Sequence, residues 1–142
     1  TLKHVDILMI NDSETRQLSN EHNLLLAARH IFGLGPETLI VKRGEYGAMM
    51  VDKRGVFSVP AFPLEEPHDP TGAGDSFAGG FMGYLAGCSK VNDAALRRAM
   101  VYGSVLGSFA VEEFGPERLR KLKLKEIQAR ARHFLKLTQF KL

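Results

Sequence analysis

Residues 69–81 read DPTGAGDSFAGGF, a stretch that carries two aspartates and very little other side chain. The proline keeps Asp69 extended, and Thr71 is placed to cap the helix that the following residues predict. Gly72 and Gly74 allow a tight turn that exposes backbone N–H groups. Because those N–H groups and the positive end of a helix attract anions, the stretch predicts a phosphate site.

Asp75 follows this turn directly and falls in the first turn of the predicted helix. A carboxylate beside an anionic substrate weakens the binding of that substrate, so its presence there calls for a function. Accepting a proton from an attacking hydroxyl is such a function. The structural alternative is that Asp75 only complements the helix dipole, which contributes ~0.3–1 kcal/mol. Both interpretations stay open on these residues alone.

Several common kinds of site are excluded by the sequence. Phe77 stands where a dinucleotide fingerprint beginning at Gly72 needs glycine or alanine, and Gly80 replaces the lysine of a Walker loop. Cys88 is the only cysteine, so neither an internal disulfide nor a CxxC metal site is possible. The five histidines lack metal-ligand spacing.

The composition is that of an ordinary globular domain of 142 residues with a net charge of +3. The charge is uneven, because residues 115–142 hold nine Lys/Arg and two Glu, or +7, while residues 1–114 hold ten and fourteen, or −4. We interpret the basic end as the solvated face of a C-terminal helix, and the alternative is nucleic-acid binding. Four residues of this helix are expected to face inward at helical spacing: Ile127, Ala131, Phe134 and Leu135. No apolar run reaches the ~18 residues of a membrane span, and we predict a cytoplasmic protein without nucleic-acid or membrane partners. The chain begins with threonine, so we expect its true start upstream.

The apolar pattern predicts an α/β fold. Buried strands are expected at 4–10 and 38–43 with a helix at 21–35 between them, an order typical of a βαβ unit in a mostly parallel sheet. A short antiparallel pair is expected within residues 48–60. Further helices are predicted at 73–87, 93–111 and 125–139, with a plain connection before the last. Small residues four apart predict packing stripes on the first two of these helices: Gly79, Gly83 and Gly87 on one, and Ala99, Gly103 and Gly107 on the other.

Three stretches together resemble the ribokinase (PfkB) family of sugar and nucleoside kinases. Residues 69–81 resemble its C-terminal signature, Asn11 to Glu14 its N-x-x-E motif, and Lys42 to Gly47 its nucleotide loop. The resemblance implies an ATP-dependent kinase that uses Mg²⁺, with a three-layer sheet flanked by helices. It makes Asp75 the catalytic base and assigns the anion hole for the γ-phosphoryl to three residues: Gly72, Ala73 and Gly74.

The resemblance also implies contacts to the nucleotide and to metal ions. Glu14 would hold Mg²⁺ through water, with Asn11 beside the phosphates, although Asn11 also reads as a simple helix cap. Nucleotide contacts would come from Lys42, Gly44, Gly47 and Gly103, the last near the adenine, although Gly44 and Gly47 also suit a plain turn. In some members, the positions of Asp69 and Thr71 bind a monovalent cation such as K⁺.

A complete member of this family is about twice as long as this chain. We therefore predict that residues 1–142 form the C-terminal, nucleotide-binding part of a ribokinase-like domain, inactive alone, without the half that contacts the acceptor. The predicted reaction is phosphorylation of a sugar hydroxyl. The alternatives are an adenosine-type nucleoside kinase and, in another class, a non-catalytic nucleotide-binding or assembly module. An exposed sheet edge would favour a homo-oligomer.

Overall fold

The computed structural model describes all 142 residues, which divide into two compact units, Thr1–Ser58 and Val59–Leu142. The first unit is built on a β-sheet, and the second is built mainly from helices. None of the helices combines the length and hydropathy that crossing a membrane requires.

The first unit alternates strands and helices in the predicted order. Its main elements are β1 (Ile7–Asn11), α1 (Asp12–Ser19), α2 (Leu24–Phe32), β2 (Thr38–Lys42), β3 (Ala48–Asp52) and β4 (Gly55–Val59), of which β4 ends at the unit boundary. The sheet has the order β1-β2-β3-β4. Short 3-10 turns occupy Leu2–His4 and Gly44–Tyr46.

The sheet changes direction at β2. Strands β1 and β2 are parallel, with Asn11 opposite Lys42 at their carboxyl ends, whereas β2 and β3 are antiparallel. The α/β expectation is confirmed, and the sheet is mixed because a short turn rather than a crossover helix joins β2 to β3. Helices α1 and α2 pack on the strands around a buried cluster: Ala28, Ile31, Leu39, Val41 and Val51.

Capping residues set where the helices of this unit begin. Asn11 caps α1, and its side chain accepts from the N–H of Glu14. Asn23 caps α2 by accepting from the N–H groups of Leu25 and Leu26, so this helix begins later than the predicted residue 21. An asparagine oxygen in this position satisfies N–H groups that the first turn leaves without partners.

The second unit contains four helices: α3 (Ala73–Ala86), α4 (Asp93–Ala110), α5 (Glu117–Lys121) and α6 (Leu124–Thr138). Helices α3 and α4 pack along each other, and α4 also contacts α5 and α6. Large buried side chains fill the unit, among them Phe81, Met100, Phe109 and Phe134. Helix α5 lies where the sequence suggested a plain connection.

Two packing predictions for this unit were wrong. A Cβ on Gly79 or Gly83 would meet no atom within 4 Å, whereas Gly80 faces the carbonyl oxygen of Tyr102. The close approach of α3 to α4 therefore uses the glycine one position further on. Leu135, predicted to face inward, is 59% exposed, whereas Phe134, predicted to face inward as well, is buried.

Candidate functional site

Polar side chains meet at the carboxyl end of the parallel pair β1–β2. The Oδ1 of Asn11 accepts from the N–H of Glu14 at 2.8 Å, and the Glu14 carboxylate accepts from the N–H of Asn11 at 2.7 Å. This reciprocal capping box holds both side chains in place. Lys42 lies beside Asn11 on the neighbouring strand. The cap interpretation of Asn11 is thus observed, and it leaves the second carboxylate oxygen of Glu14 available.

The predicted nucleotide loop is a tight turn after β2. Gly44 and Gly47 both have positive φ, at +56° and +84°. The N–H of Arg43 donates to the carbonyl of Gly47 at 2.8 Å and closes the turn. Arg43 also lies over the ring of Tyr46, and its buried Nε has no hydrogen-bond partner. Arg43 was not among the predicted site residues, and it adds a second cation next to Lys42.

Residues 69–75, here called the anion loop, lead into α3 in the second unit. Gly72 is the N-cap of α3, with φ +79°, and no side chain caps the helix. The expected cap by Thr71 is therefore absent. No residue accepts a hydrogen bond from the N–H groups of Gly72, Gly74 and Asp75. An exposed helix start with free N–H groups is an arrangement that binds anions.

Asp69 shapes the loop through a local turn. Its Oδ1 accepts from the backbone N–H of Thr71 at 2.9 Å. This hydrogen bond to the charged carboxylate lowers the pKa of Asp69 below its ordinary value of 3.8. The turn supports the loop directly in front of Gly72. It also shows that the Asp69 carboxylate already has a structural role.

Asp75 stands in the first turn of α3, as the sequence predicted. The residue is exposed, and no hydrogen bond or ion pair restrains its carboxylate. The carboxylate is therefore accessible to solvent and to a bound molecule. The neighbouring Ser76 turns back instead, because its Oγ donates to the carbonyl of Gly72 at 2.8 Å.

Helix α4 supports the start of α3 through two glycines. A Cβ on Gly107 would come 3.2 Å from the carbonyl oxygen of Ala73, and one on Gly103 would come 2.9 Å from that of Phe77. These glycines let the backbones approach at the point where the anion loop ends. The observed surroundings of Gly103 are thus those of a packing residue, and its contact with adenine stays a prediction.

The predicted residues fall into two groups. The first lies at one end of the sheet of the first unit and comprises Asn11, Glu14, Lys42, Gly44 and Gly47. The second is the anion loop with the α4 glycine behind it, comprising Asp69, Thr71, Gly72, Ala73, Gly74, Asp75 and Gly103.

A charged cluster in the second unit was missed entirely. Glu112 follows α4 and is bound by two arginines, Arg118 and Arg130. Arg118 also binds Glu126 at 2.8 Å, which raises the pKa of the guanidinium and lowers that of the carboxyl. A cavity of about 330 Å³ lies against the two arginines. Nothing in the sequence distinguishes these arginines from the other basic residues near them.

Known proteins resemble the chain in sequence and structure. The model of the pfkB family carbohydrate kinases matches residues 1–121. A cytidine kinase of Thermococcus kodakarensis is 39% identical over 92 residues, which are 63% of this chain and 31% of the relative.

Two solved structures share the fold. Aminoimidazole riboside kinase of Salmonella enterica, complexed with aminoimidazole riboside and an ATP analogue, has a TM-score of 0.76 at 28% identity over 88% of this chain and 41% of its own. A protein from E. coli described as a ribokinase II, in complex with ATP and Mg²⁺, has a TM-score of 0.76 at 31% identity over 93% and 41%. The predicted ribokinase-like α/β fold is thereby confirmed.

Proposed function

The chain belongs to the pfkB family of carbohydrate kinases, and we propose that it carries the nucleotide-binding and catalytic parts of an ATP-dependent kinase. It spans about a third of the length of the curated relatives it matches. We therefore propose that residues 1–142 correspond to the C-terminal part of a ribokinase-like domain, and that turnover requires further contacts to the acceptor. The reaction moves the γ-phosphoryl of ATP to a hydroxyl group.

The anion loop is the observation that carries this proposal. Its free N–H groups at Gly72 and Gly74 suit the γ-phosphoryl oxygens, on which negative charge spreads during transfer. The unrestrained carboxylate of Asp75 lies one residue further on and would accept the proton of the attacking hydroxyl. Ala73 contributes only backbone here, and its small side chain leaves the approach open.

The residues present also fit a magnesium nucleotide. Mg²⁺ keeps several waters and takes carboxylate oxygens, so the free oxygen of Glu14 would hold it through water. Bound Mg²⁺ would neutralise charge on the phosphates. Asn11 and Lys42 would lie near the phosphates, with Gly44 and Gly47 lining the nucleotide and Gly103 behind the adenine. Asp69 and Thr71 are the candidates for a monovalent cation such as K⁺.

The acceptor is proposed to be a sugar, and a nucleoside is the second candidate. The similarity to a ribokinase of Staphylococcus aureus supports the first. The 39% identity to a cytidine kinase favours the second, since its acceptor is a nucleoside. Both acceptors present a ribose-type hydroxyl, so the same base and anion loop serve either reaction. An assembly through β1, which is a terminal strand of the sheet, is also proposed.

The test is phosphoryl transfer from γ-labelled ATP in the longest natural protein that contains these residues. Ribose, fructose, cytidine and adenosine serve as acceptors, each with and without Mg²⁺ and K⁺. We expect Mg²⁺-dependent labelling of one acceptor class. Binding of MgATP without labelling of any acceptor would instead favour a non-catalytic nucleotide-binding module. Absence of both binding and labelling would refute the proposal.

A further inference from the structure

We propose that Glu112 is a positioning residue for the anion loop. Arg118 and Arg130 hold its carboxylate, and the three residues are here called the Glu112 clamp. The clamp fixes the backbone at Val111. The carbonyl of Val111 in turn accepts a hydrogen bond from the N–H of His68, the residue that precedes Asp69. This inference rests on the proposed function, because positioning matters only if the anion loop binds phosphate.

The clamp uses both oxygens of one carboxylate. Arg130 donates to Oε1 of Glu112, and the Nε of Arg118 donates to Oε2 at 2.9 Å. The side chains are only 15%, 19% and 23% exposed for Arg130, Arg118 and Glu112. Charge-assisted bonds of this kind are stronger than neutral ones, and partial burial weakens screening by water. The position of Glu112 is therefore closely defined.

Aromatic rings fix the two arginines independently of the carboxylate. The guanidinium carbon of Arg130 lies 3.5 Å from the ring centroid of Phe109 and 4.6 Å from that of Phe62. That of Arg118 lies 4.8 Å from the Phe109 centroid. Stacking of this kind suits the planar guanidinium group and restricts its orientation. The clamp therefore holds Glu112 against rigid supports.

The backbone connects the clamp to the anion loop. Val111 directly precedes Glu112, and its carbonyl accepts from the N–H of His68 at 2.8 Å. The ring of His68 also meets that of Phe114 edge-on at 6.0 Å. Asp69 comes next and forms the turn that leads to Gly72. Movement of Glu112 would thus release the segment on which the anion loop rests.

A purely structural alternative is that the clamp only joins α4 to α6. In that case its loss would loosen the second unit uniformly. A positioning role predicts a local effect at His68, with helix interiors unchanged. Hydrogen exchange of individual backbone amides separates these two cases, because local opening exposes only the amides of one segment, whereas global opening exposes all of them.

The experiment measures amide exchange by NMR on the 142-residue chain, wild type and Glu112→Gln. Glutamine keeps the shape of the Glu112 side chain and removes its negative charge. We expect the His68 amide to exchange about 10-fold faster, with the amides of Phe81 and Met100 unchanged within about 2-fold. The matched control is Glu117→Gln, which breaks an exposed pair with Arg120 outside the clamp and should change none of the three.

A milder variant tests the same contact if Glu112→Gln fails to fold. Arg118→Lys keeps the charge but loses the planar fork, so it should accelerate exchange at His68 less than Glu112→Gln does. Unchanged exchange at His68 in both variants, or acceleration at Phe81 and Met100 in the same proportion, would overturn the inference.

Calorimetry with MgATP supplies the functional readout. We expect Glu112→Gln to weaken nucleotide affinity about 5-fold, since a looser loop must be ordered on binding. Unchanged affinity despite faster exchange at His68 would overturn the positioning role. Absence of nucleotide binding by the wild type would count against the proposed function instead, while the exchange data would still show whether the clamp holds the loop.

Discussion

Gly103 of α4 lies so close to Phe77 of α3 that a Cβ added to the glycine would come 2.9 Å from the phenylalanine carbonyl oxygen. Contact between backbones, rather than between flexible side chains, therefore sets the spacing of the two helices. Phe77 is in the second turn of α3, so this spacing also fixes where the helix begins and where the anion loop ends.

We expect Gly103→Ala to destabilise the protein. Overpacking costs ~1–3 kcal/mol, which outweighs the ~1 kcal/mol of helix propensity that alanine gains over glycine. Gly83→Ala is the matched control, because a Cβ there meets no atom within 4 Å. It should stabilise by ~0.5–1 kcal/mol. Urea unfolding midpoints measure both changes, and equal shifts in the same direction would contradict the packing described here.

Glu14→Gln is expected to separate the cap from the metal role. Glutamine also completes a capping box, so stability should change by less than ~0.5 kcal/mol. The side chain loses the charge that would attract Mg²⁺, so the gain in ATP affinity on adding Mg²⁺ should fall several-fold. Calorimetry with ATP at several Mg²⁺ concentrations measures this gain.

Glu37→Gln is the control for that experiment, since it removes the same charge from an exposed position before β2. It should leave the Mg²⁺ dependence unchanged. A wild-type Mg²⁺ response in Glu14→Gln would restrict Glu14 to its capping role.

Asp75→Asn is expected to lower kcat by ~10²–10⁴-fold, the usual contribution of a positioned base. ATP affinity should stay similar or rise slightly, because a negative charge beside the phosphates is removed. The helix loses at most ~1 kcal/mol of dipole interaction. Steady-state kinetics in the longest natural protein that contains these residues supply the measurement.

The control is Asp93→Asn, which changes a first-turn aspartate of α4 that also pairs with Arg97 at 2.8 Å. It should cost at least as much stability as Asp75→Asn and leave kcat unchanged. If Asp75→Asn keeps near-normal turnover, the residue only complements the helix dipole.

The turn at Asp69 is expected to weaken in acid. The pKa of Asp69 is lower in the folded protein than in the unfolded chain, because its carboxylate accepts from the N–H of Thr71. The stabilisation is therefore fully present above the ordinary value of 3.8 and is lost as the pH falls through the folded pKa. The amide proton shift of Thr71, followed by NMR, should titrate with a midpoint below 3.8.

Asp69→Asn keeps an oxygen acceptor but cannot titrate, so its Thr71 shift should stay constant over the same range. A wild-type midpoint at or above the ordinary value would mean that the hydrogen bond does not persist in solution.

Sequence periodicity predicted the helices and strands well, but it did not predict which residues of different elements come into contact. The strands predicted at 4–10 and 38–43 are observed at 7–11 and 38–42, and the helices after Asn11, Gly72 and Asn92 were also predictable, because capping residues and apolar runs are local signals. The choice between Gly79 and Gly80 for the contact with α4 was not, because both positions are small and only the tertiary packing distinguishes them.

Only part of the candidate site was predictable from the sequence as well. The placement of Asp75 and the glycines followed from the order of residues along one loop. The Glu112 clamp did not, because Glu112 and Arg130 are 18 positions apart and their pairing depends on how α6 packs against α4. The sequence around an arginine in a basic segment does not indicate which carboxylate the arginine binds.

The left-handed backbone conformation at Gly72, and not a lack of space for a side chain, restricts which residue can occupy that position. Its φ is +79°, yet the space where a Cβ would stand is empty to 4 Å. An L-residue would be strained there by ~1–2 kcal/mol, whereas a D-residue adopts this conformation naturally. D-alanine introduced by chemical synthesis would therefore fit where L-alanine does not. The genetic code offers no such residue, which leaves glycine as the one unstrained choice at the entrance to α3.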